Sequence, residues 1–187
     1  MKKSLGAHTY LPITPVLLVG TYDHHGKANM MTAAWGGICC SQPPCVAVSL
    51  REATHSYSAI MERKAFTIGV PSESHVREAD YMGIVSGRKN DKFAEWGLTA
   101  VQSDLVDAPY ADEMLFVLEC RLYKHIKLGL HTLFVGEIKD VKAEEGVLAD
   151  DGLPDVTKIK PFSYDPVHKG YTGLGNFLGK AFSVGKR

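Results

Sequence analysis

The sequence predicts a mainly β protein, a closed antiparallel barrel of Greek-key type with a few peripheral α-helices. Short apolar or alternating runs, which are typical of strands, outnumber the helical patterns. The helical patterns are inserted between strands rather than alternating with them, which disfavours a doubly wound parallel sheet. A length of 187 residues corresponds to about one domain. We therefore expect a single domain over residues 1–187.

Two hairpins are predicted. Residues 16–19 are apolar on both faces, and the turn formers of residues 22–27 separate them from a second strand at residues 28–34. Further along, residues 115–123 and 133–141 alternate between apolar and polar side chains. These two strands are expected to form a long hairpin with a loop between them.

Two short helices interrupt the strands. Ser56 is a suitable cap for the first helix, and Asn90 is a suitable cap for a second helix that ends before Gly97. The sequence after Gly152 is rich in proline and glycine, which argues against any long regular element. We expect residues 152–187 to form an extended C-terminal arm that wraps the barrel or a partner subunit.

Composition and charge exclude several functions. Lysine and arginine together number 21, as do aspartate and glutamate, so the formal net charge is zero. A neutral chain lacks the long-range field that attracts nucleic acid or anionic lipid, so no nucleic-acid partner is expected. There is no apolar run of membrane-spanning length and no recognisable export signal, which predicts a cytoplasmic protein without membrane contact.

Local motifs for a metal site or a protein nucleophile are not found. Cys39, Cys40 and Cys45 lack the spacing of a zinc knuckle, and all four cysteines are expected to be free thiols in a reducing compartment. The glycines at 173, 175 and 179 miss the spacing of a dinucleotide-binding loop. Serine-hydrolase, zincin and P-loop signatures do not occur. We therefore predict no metal ligand and no catalytic side chain.

One block remains that none of these motifs explains. It comprises residues 29–37 and 41–51, and related segments follow at residues 86–93, 118–120 and 129–137. In order and spacing these segments resemble the flavin reductase-like family and the flavoredoxins within it, over nearly the whole chain. Members of that family share an FMN-binding split barrel. The resemblance therefore implies this fold, with noncovalently bound FMN as cofactor.

The residue types in this block are suitable for a flavin. A planar ring needs a flat, partly apolar slot with hydrogen-bond donors along its edge. Thr32, Ala33 and Ala34 are small enough for backbone N–H groups to approach that edge, and Trp35 offers an aromatic wall. A phosphate needs positive charge and hydroxyl groups. The side chains that can supply them are Arg51, Thr54, Ser56 and Lys92.

The resemblance also implies roles for individual residues. It places Asn29, Trp35, Lys92 and His131 around the isoalloxazine, with His131 or Lys92 stabilising negative charge on the reduced ring. Pattern alone would assign Met31 and Trp35 to the barrel core. The complete predicted cofactor site consists of Asn29, Met31, Thr32, Ala33, Ala34, Trp35, Ser49, Leu50, Arg51, Thr54, Ser56, Ser86, Lys92, His131 and Tyr164.

Two redox functions and a non-redox alternative stay open. In the first, FMN remains bound and the protein transfers electrons between redox partner proteins. In the second, the chain is an NAD(P)H:flavin oxidoreductase, with NADH or NADPH as donor, that delivers reduced flavin to an acceptor. A non-redox binding domain on the same barrel is the third class, because fold does not determine function. The resemblance further implies a homodimer with the cofactor near the subunit interface.

Overall fold

The computed structural model describes residues 1–186, and its largest element is a seven-stranded sheet. The strands are β1 (Thr14–Pro15), β2 (Leu17–Tyr22), β3 (Ala28–Ala33), β4 (Gly36–Ser41), β5 (Pro44–Arg51), β6 (Ala65–Gly69), β7 (Ala100–Gln102), β8 (Pro109–Ala111), β9 (Phe116–Leu128), β10 (His131–Ala143), β11 (Phe162–Asp165) and β12 (Gly170–Gly173). The helices are α1 (His55–Arg63), α2 (Val76–Ile84), α3 (Lys92–Trp96) and α4 (Val156–Ile159), with 3-10 turns at Glu73–His75 and Glu145–Val147.

The large sheet is closed into a barrel by a two-residue link. Its antiparallel strands follow the order β3-β2-β6-β9-β10-β5-β4, so β3 and β4 are the two edges. A flat sheet of this width would separate its edges by about 29 Å. Ala34 and Trp35 join these edges, and three steps along the chain span at most about 11 Å. The sheet must therefore curl, which confirms the predicted antiparallel barrel.

The first predicted hairpin is confirmed as β2 and β3, which pair from Leu17 opposite Ala33 to Tyr22 opposite Ala28. Asp23 fixes the turn between them, because its carboxylate accepts hydrogen bonds from the backbone N–H groups of His25 and Lys27, both at 2.9 Å. Gly26 has a φ of 79°, which glycine adopts without steric cost. The local sequence thus determines where the hairpin turns.

The second predicted hairpin is longer than expected. β9 continues to Leu128 and β10 starts at His131, so Gly129 and Leu130 alone form the turn. Gly129 has a φ of 61°. The predicted loop over residues 124–132 was therefore wrong for all but Gly129 and Leu130. The side chains from Tyr123 to Leu128 are partly or fully exposed on both faces, so no apolar alternation marks this part of the strand.

Asp91, and not the predicted Asn90, caps α3. The Asp91 carboxylate accepts a hydrogen bond from the backbone N–H of Ala94 at 3.2 Å. The amide of Asn90 is engaged elsewhere, because it donates to the carbonyl oxygen of Ser86 at 3.1 Å. Within residues 1–186, no helix is both long enough and apolar enough to cross a membrane.

Two apolar clusters hold the barrel and its covering layer together. The first lies inside the barrel, and Phe66 and Phe134 are its largest fully buried side chains. The second lies outside, where Met30 of β3 packs with Met82 of α2 and Phe162 of β11. β3 thus contributes to the interior with one face and is covered by α2 on the other. This double burial makes β3 a rigid support.

The chain after α4 returns to the start of the barrel. β11 pairs with β12 and with β1, which places Tyr164 opposite Thr14. The Thr14 hydroxyl donates to the Tyr164 carbonyl oxygen at 3.0 Å. Residues 152–186 therefore contain short regular elements followed by an exposed tail. That this stretch acts as an arm toward a partner stays a prediction.

Gly20 allows the segment around Pro109 to lie directly on β2. A Cβ atom at Gly20 would lie 2.1 Å from the Pro109 carbonyl oxygen and 2.3 Å from the Thr67 hydroxyl oxygen, which themselves share a 2.6 Å hydrogen bond. We expect Gly20→Ala to lower the free energy of unfolding by about 2–3 kcal/mol. Urea denaturation would measure this loss.

Gly146→Ala is the matched control, because a Cβ at this exposed glycine would meet no atom within 4 Å. Its effect should stay within about 0.5 kcal/mol. Equal stability of the two variants would contradict the close packing at Gly20.

Candidate functional site

Two adjoining cavities lie where the barrel closes. The larger has a volume of about 420 Å³ and the smaller about 210 Å³, and Met31 and Thr54 line both. The larger cavity is lined by Met31, Thr32, Ala33, Ala34, Trp35, Ser49, Leu50, Arg51, Thr54, His131 and Tyr164, all of them predicted site residues. The other predicted residues, Asn29, Ser56, Ser86 and Lys92, line the smaller cavity. The structure thus brings every predicted residue to one composite site.

Strand register explains how distant parts of the chain meet at the larger cavity. The β5–β10 pairing sets Arg51 opposite His131 and Ser49 opposite Leu133. The backbone N–H of Ser49 donates to the carbonyl oxygen of Trp35 at 2.8 Å, which holds the two-residue link against β5. Tyr164 arrives from the far end of the chain on β11. The cavity is therefore built by the closure of the barrel itself.

β3 presents its backbone to the site. As an edge strand, β3 pairs with β2 along one side only. The other side of an edge strand carries unpaired N–H and C=O groups, which can bind a ligand. The small side chains at Thr32, Ala33 and Ala34 leave that side accessible. The predicted recognition through main-chain donors is thus sterically possible.

A buried polar network forms one wall of the smaller cavity. The hydroxyl of Ser56, which is fully buried, accepts hydrogen bonds from the Asn29 amide at 3.0 Å and from the Thr21 hydroxyl at 3.3 Å. The Asn29 Oδ1 atom is buried and has no hydrogen-bond partner. An unsatisfied buried acceptor is costly, so a ligand hydroxyl or N–H group would be bound favourably at this position.

Gly87 makes room for Asn29. A Cβ atom on Gly87 would lie 2.0 Å from Asn29 Oδ1. Any larger residue would therefore displace the amide that faces the smaller cavity. The position after Ser86, a predicted site residue, thus has a steric requirement for glycine.

The N-terminus of α1 opens into the smaller cavity. Thr54 occupies the cap position, but its hydroxyl donates to the Arg51 carbonyl oxygen at 2.8 Å and does not cap the helix. Ser56, predicted as the cap, lies within the first turn instead, because a tight turn from Arg51 to Thr54 starts the helix earlier. An uncapped helix start offers free N–H groups and a positive dipole end, which suit an anion.

Lys92 adds a buried cation to the same cavity. The side chain is 3% exposed, and Nζ donates to the carbonyl oxygens of Met30 at 2.9 Å and Met82 at 2.8 Å. Burial lowers the pKa of Lys92 to about 8. Both partners are neutral, and an ammonium group carries three donors, so one N–H remains for a ligand. An anion in this cavity would compensate the buried charge.

Sequence reasoning missed several residues of the smaller cavity. His55 lines it, and the His55 Nε2 atom lies 3.8 Å from Asp23 Oδ2. Burial lowers the pKa of His55, and the Asp23 carboxylate opposes that shift. The end of α2, residues 82–84, also contributes to the lining. The apolar spacing of Val76, Ala79 and Met82 was a helical signal that could have revealed α2.

Taken together, the site can hold a flat molecule that carries an anionic group. The larger cavity has an apolar, aromatic-edged wall, and the smaller one combines a buried cation, a helix N-terminus and an unpaired amide oxygen. These features fit FMN, whose ring and phosphate need those two environments.

Comparison with known proteins identifies the class. The flavin reductase like domain matches residues 11–159, and the chain belongs to this family. The whole chain is similar to the solved flavoredoxin of Desulfovibrio vulgaris (Miyazaki F), with 55% identity, a TM-score of 0.95 and full coverage of both chains. Flavoredoxin from Methanosarcina acetivorans matches with 29% identity and a TM-score of 0.93, covering 100% of this chain and 98% of that one. The predicted split-barrel fold is confirmed.

One further relative is a rubredoxin by name. The high molecular weight rubredoxin of Moorella thermoacetica is 27% identical over 148 residues, which cover 78% of this chain and 58% of that protein. The present chain thus corresponds to little more than half of that relative.

The Ser56 network can be tested without any ligand. Ser56→Ala removes the acceptor of two buried hydrogen bonds, so the FMN-free protein should lose about 1–3 kcal/mol of unfolding free energy. Ser58→Ala removes an exposed hydroxyl on the same helix, which donates to His55 O at 3.1 Å, and should cost less than about 0.5 kcal/mol. Thermal and urea unfolding of both variants would measure the difference. A Ser56→Ala protein as stable as Ser58→Ala would refute the network.

Proposed function

We propose that the chain is a flavoredoxin-like redox protein that transfers electrons between protein partners through noncovalently bound FMN. The observation that carries the proposal is the composite site, in which an apolar cavity large enough for a flat ring adjoins a small cavity with a buried cation. Membership of the flavin reductase-like family supports the same cofactor. The similarity to solved flavoredoxins and to a rubredoxin-containing relative supports electron transfer.

In this proposal the two cavities divide the cofactor between them. Residues 31–35 would border the ring with backbone groups, and Trp35 would limit its slot on one side. Lys92, Thr54 and the first N–H groups of α1 would hold the phosphate in the smaller cavity. Asn29 Oδ1, buried and unpaired, would accept a hydrogen bond from the connecting polyol chain. Arg51 and His131, opposite each other on β5 and β10, border the ring cavity.

Bound FMN supplies two-electron and one-electron chemistry that no side chain can perform, and the protein tunes it electrostatically. The protein itself would bind the cofactor, orient it and shield it from water. Apolar contacts from Met31 and Leu50 exclude water from part of the slot, and Lys92 offsets the charge of the phosphate. That no catalytic side chain is needed stays a prediction.

An NAD(P)H:flavin oxidoreductase is the second candidate. Two further cavities, of about 330 and 400 Å³, share lining residues with the ring cavity, Ala34 being common to all three. A nicotinamide donor could therefore approach the ring from an open side. NADH or NADPH as donor is specific to this candidate, and a carrier needs neither.

We also propose a cytoplasmic homodimer. The tail after β12 exposes Leu174, Phe177, Leu178 and Phe182, with Phe182 96% exposed. Apolar side chains of this size are usually covered, and a second copy of the chain is the simplest cover. Sedimentation equilibrium should give twice the mass of 20.5 kDa, and a monomer would contradict the arm.

The main test uses the colour of the protein. As a carrier, the purified protein should retain one FMN per chain through gel filtration. After photoreduction it should reduce added rubredoxin, and anaerobic NADH and NADPH should leave the flavin oxidised. Rapid bleaching by either nucleotide would favour the reductase instead. A colourless protein that takes up no FMN on titration would refute both.

The phosphate role of Lys92 predicts a pH dependence. The ammonium form prevails below pH 8 and is lost above it, while the phosphate is already a dianion above about pH 7. FMN affinity should therefore fall about tenfold between pH 7 and 9. Fluorescence titration of the FMN-free protein at several pH values would measure this.

Variants of Lys92 test whether FMN binding needs the charge of this side chain. Lys92→Met should weaken FMN binding and flatten its pH profile while changing riboflavin binding little, because riboflavin lacks the phosphate. Lys89→Met, at an exposed position nearby, should behave like the wild type. An equal loss of FMN and riboflavin affinity in Lys92→Met would contradict the phosphate role.

A further inference from the structure

Three of the four cysteines gather at the turn end of the β4–β5 hairpin, away from the residues of β5 that line the larger cavity. Cys39 and Cys40 lie on β4, and Cys45 lies on β5. None of them lines the two cavities of the composite site. Among the described residues, no cluster of histidine, cysteine or carboxylate side chains could hold a metal ion.

Strand register brings two of these thiols directly opposite each other. Cys40 pairs with Cys45 one step from the turn, after Ser41 opposite Pro44. Directly opposed residues of an antiparallel pair have Cα atoms about 4.5–5.5 Å apart and side chains on the same face. A disulfide needs a Cα separation of about 4.4–6.8 Å. Cys40 and Cys45 thus meet the main-chain requirement for a disulfide without backbone movement.

Cys39 does not share this arrangement. The ladder is shifted between Ile38 and Cys40, so Cys39 is the extra residue of a bulge and has no opposed partner. Its Sγ atom donates to the Cys45 carbonyl oxygen at 3.6 Å. Cys39 is therefore a natural internal control for its neighbour.

The two opposed thiols differ in access. Cys40 is exposed, and its Sγ donates to the Gln42 carbonyl oxygen at 3.4 Å, a weak contact that a side-chain rotation can break. Cys45 is 2% exposed, and burial, together with the nearby thiols of Cys39 and Cys40, raises its pKa. An oxidant from solution would thus meet Cys40 first, and Cys45 would act afterwards.

We propose that Cys40 and Cys45 form a reversible dithiol–disulfide pair that reacts with peroxides. The Cys40 thiolate attacks one oxygen of hydrogen peroxide, the O–O bond breaks, one water leaves after protonation, and Cys40 becomes a sulfenic acid. The Cys45 sulfur then displaces the sulfenic hydroxyl, which forms the S–S bond and releases a second water. Two thiols are oxidised by two electrons, and one peroxide is reduced to two waters.

The position of the pair connects it with the site. β4 starts directly after Trp35, and β5 ends with Ser49, Leu50 and Arg51 of the larger cavity. A cross-link between the two strands would brace the far end of the hairpin whose near end borders that cavity. The proposal does not depend on the identity of the cofactor, because the chemistry involves only the two thiols and the peroxide.

Mass spectrometry tests the pair on the protein as isolated. After thiol reduction and desalting, an equimolar amount of hydrogen peroxide should remove two hydrogen atoms per chain. Alkylation under denaturing conditions should then label two of the four cysteines, Cys39 and Cys120. Fragment spectra of the tryptic peptide 28–51, which contains all three hairpin cysteines, should show label on Cys39 alone. Dithiothreitol should restore full labelling.

Serine variants of the two exposed cysteines, Cys39 and Cys40, test the proposal without changing a buried side chain. Cys39→Ser should still lose two hydrogen atoms, whereas Cys40→Ser should not. Loss of the product in Cys39→Ser, its survival in Cys40→Ser, a gain of oxygen without cross-link, or a bond between two chains would each overturn the proposal.

Discussion

The short link between β3 and β4 is the constraint on which the structure depends. Ala34 and Trp35 connect two strands at opposite edges of a seven-stranded sheet, and this connection is possible only if the sheet closes. Closure leaves the outer edge of β3 without a strand partner while bringing β5 and β10 beside it. The same geometric necessity that completes the barrel therefore creates the site, and the residues of the link line its wall.

Buried polar groups with unused hydrogen-bond capacity lie near the point where the barrel closes. Lys92, Asn29 and Ser56 are all nearly inaccessible to water, and their hydrogen-bond capacity is only partly used within the protein. A folded chain seldom tolerates such groups without a reason, since each unsatisfied polar atom costs free energy. Here they surround a cavity beside a helix N-terminus. A ligand that pairs with these groups would recover part of that free energy. The unsatisfied groups therefore favour ligand binding in addition to the shape of the cavity.

Much of the fold and of the candidate site could be read from the sequence. An apolar run and the turn residues after it located β2 and β3, because the buried faces of these strands leave an apolar pattern that ends at a clear turn. The block from Asn29 to Trp35 was recognised by its likeness to a family, since nothing in its composition distinguishes a site from a core. The end of β9 was missed because the exposed strand has no apolar periodicity. His55 and Met82 were not predicted as site residues, because their place in the site depends on how the start of α1 and the end of α2 meet in the folded chain.

The helix caps also show where prediction from sequence fails. Ser56 and Asn90 are both good capping residue types, and neither caps a helix here. A tight turn that ends at Thr54 moves the first helix start, and Asn90 instead bonds back to Ser86. Residue preference names several candidates within two positions, but the path of the incoming chain selects among them.

The proposed recognition of the cofactor by the open side of β3 would have an evolutionary consequence. Peptide amides are the same whatever side chain a codon specifies, so substitutions along this strand can accumulate while the hydrogen-bonding surface persists, provided that the replacements remain small. Drift can thus remodel the rim, where donors and acceptors dock, without loss of the prosthetic group. Such a scaffold can acquire new redox partners while its chemistry stays unchanged.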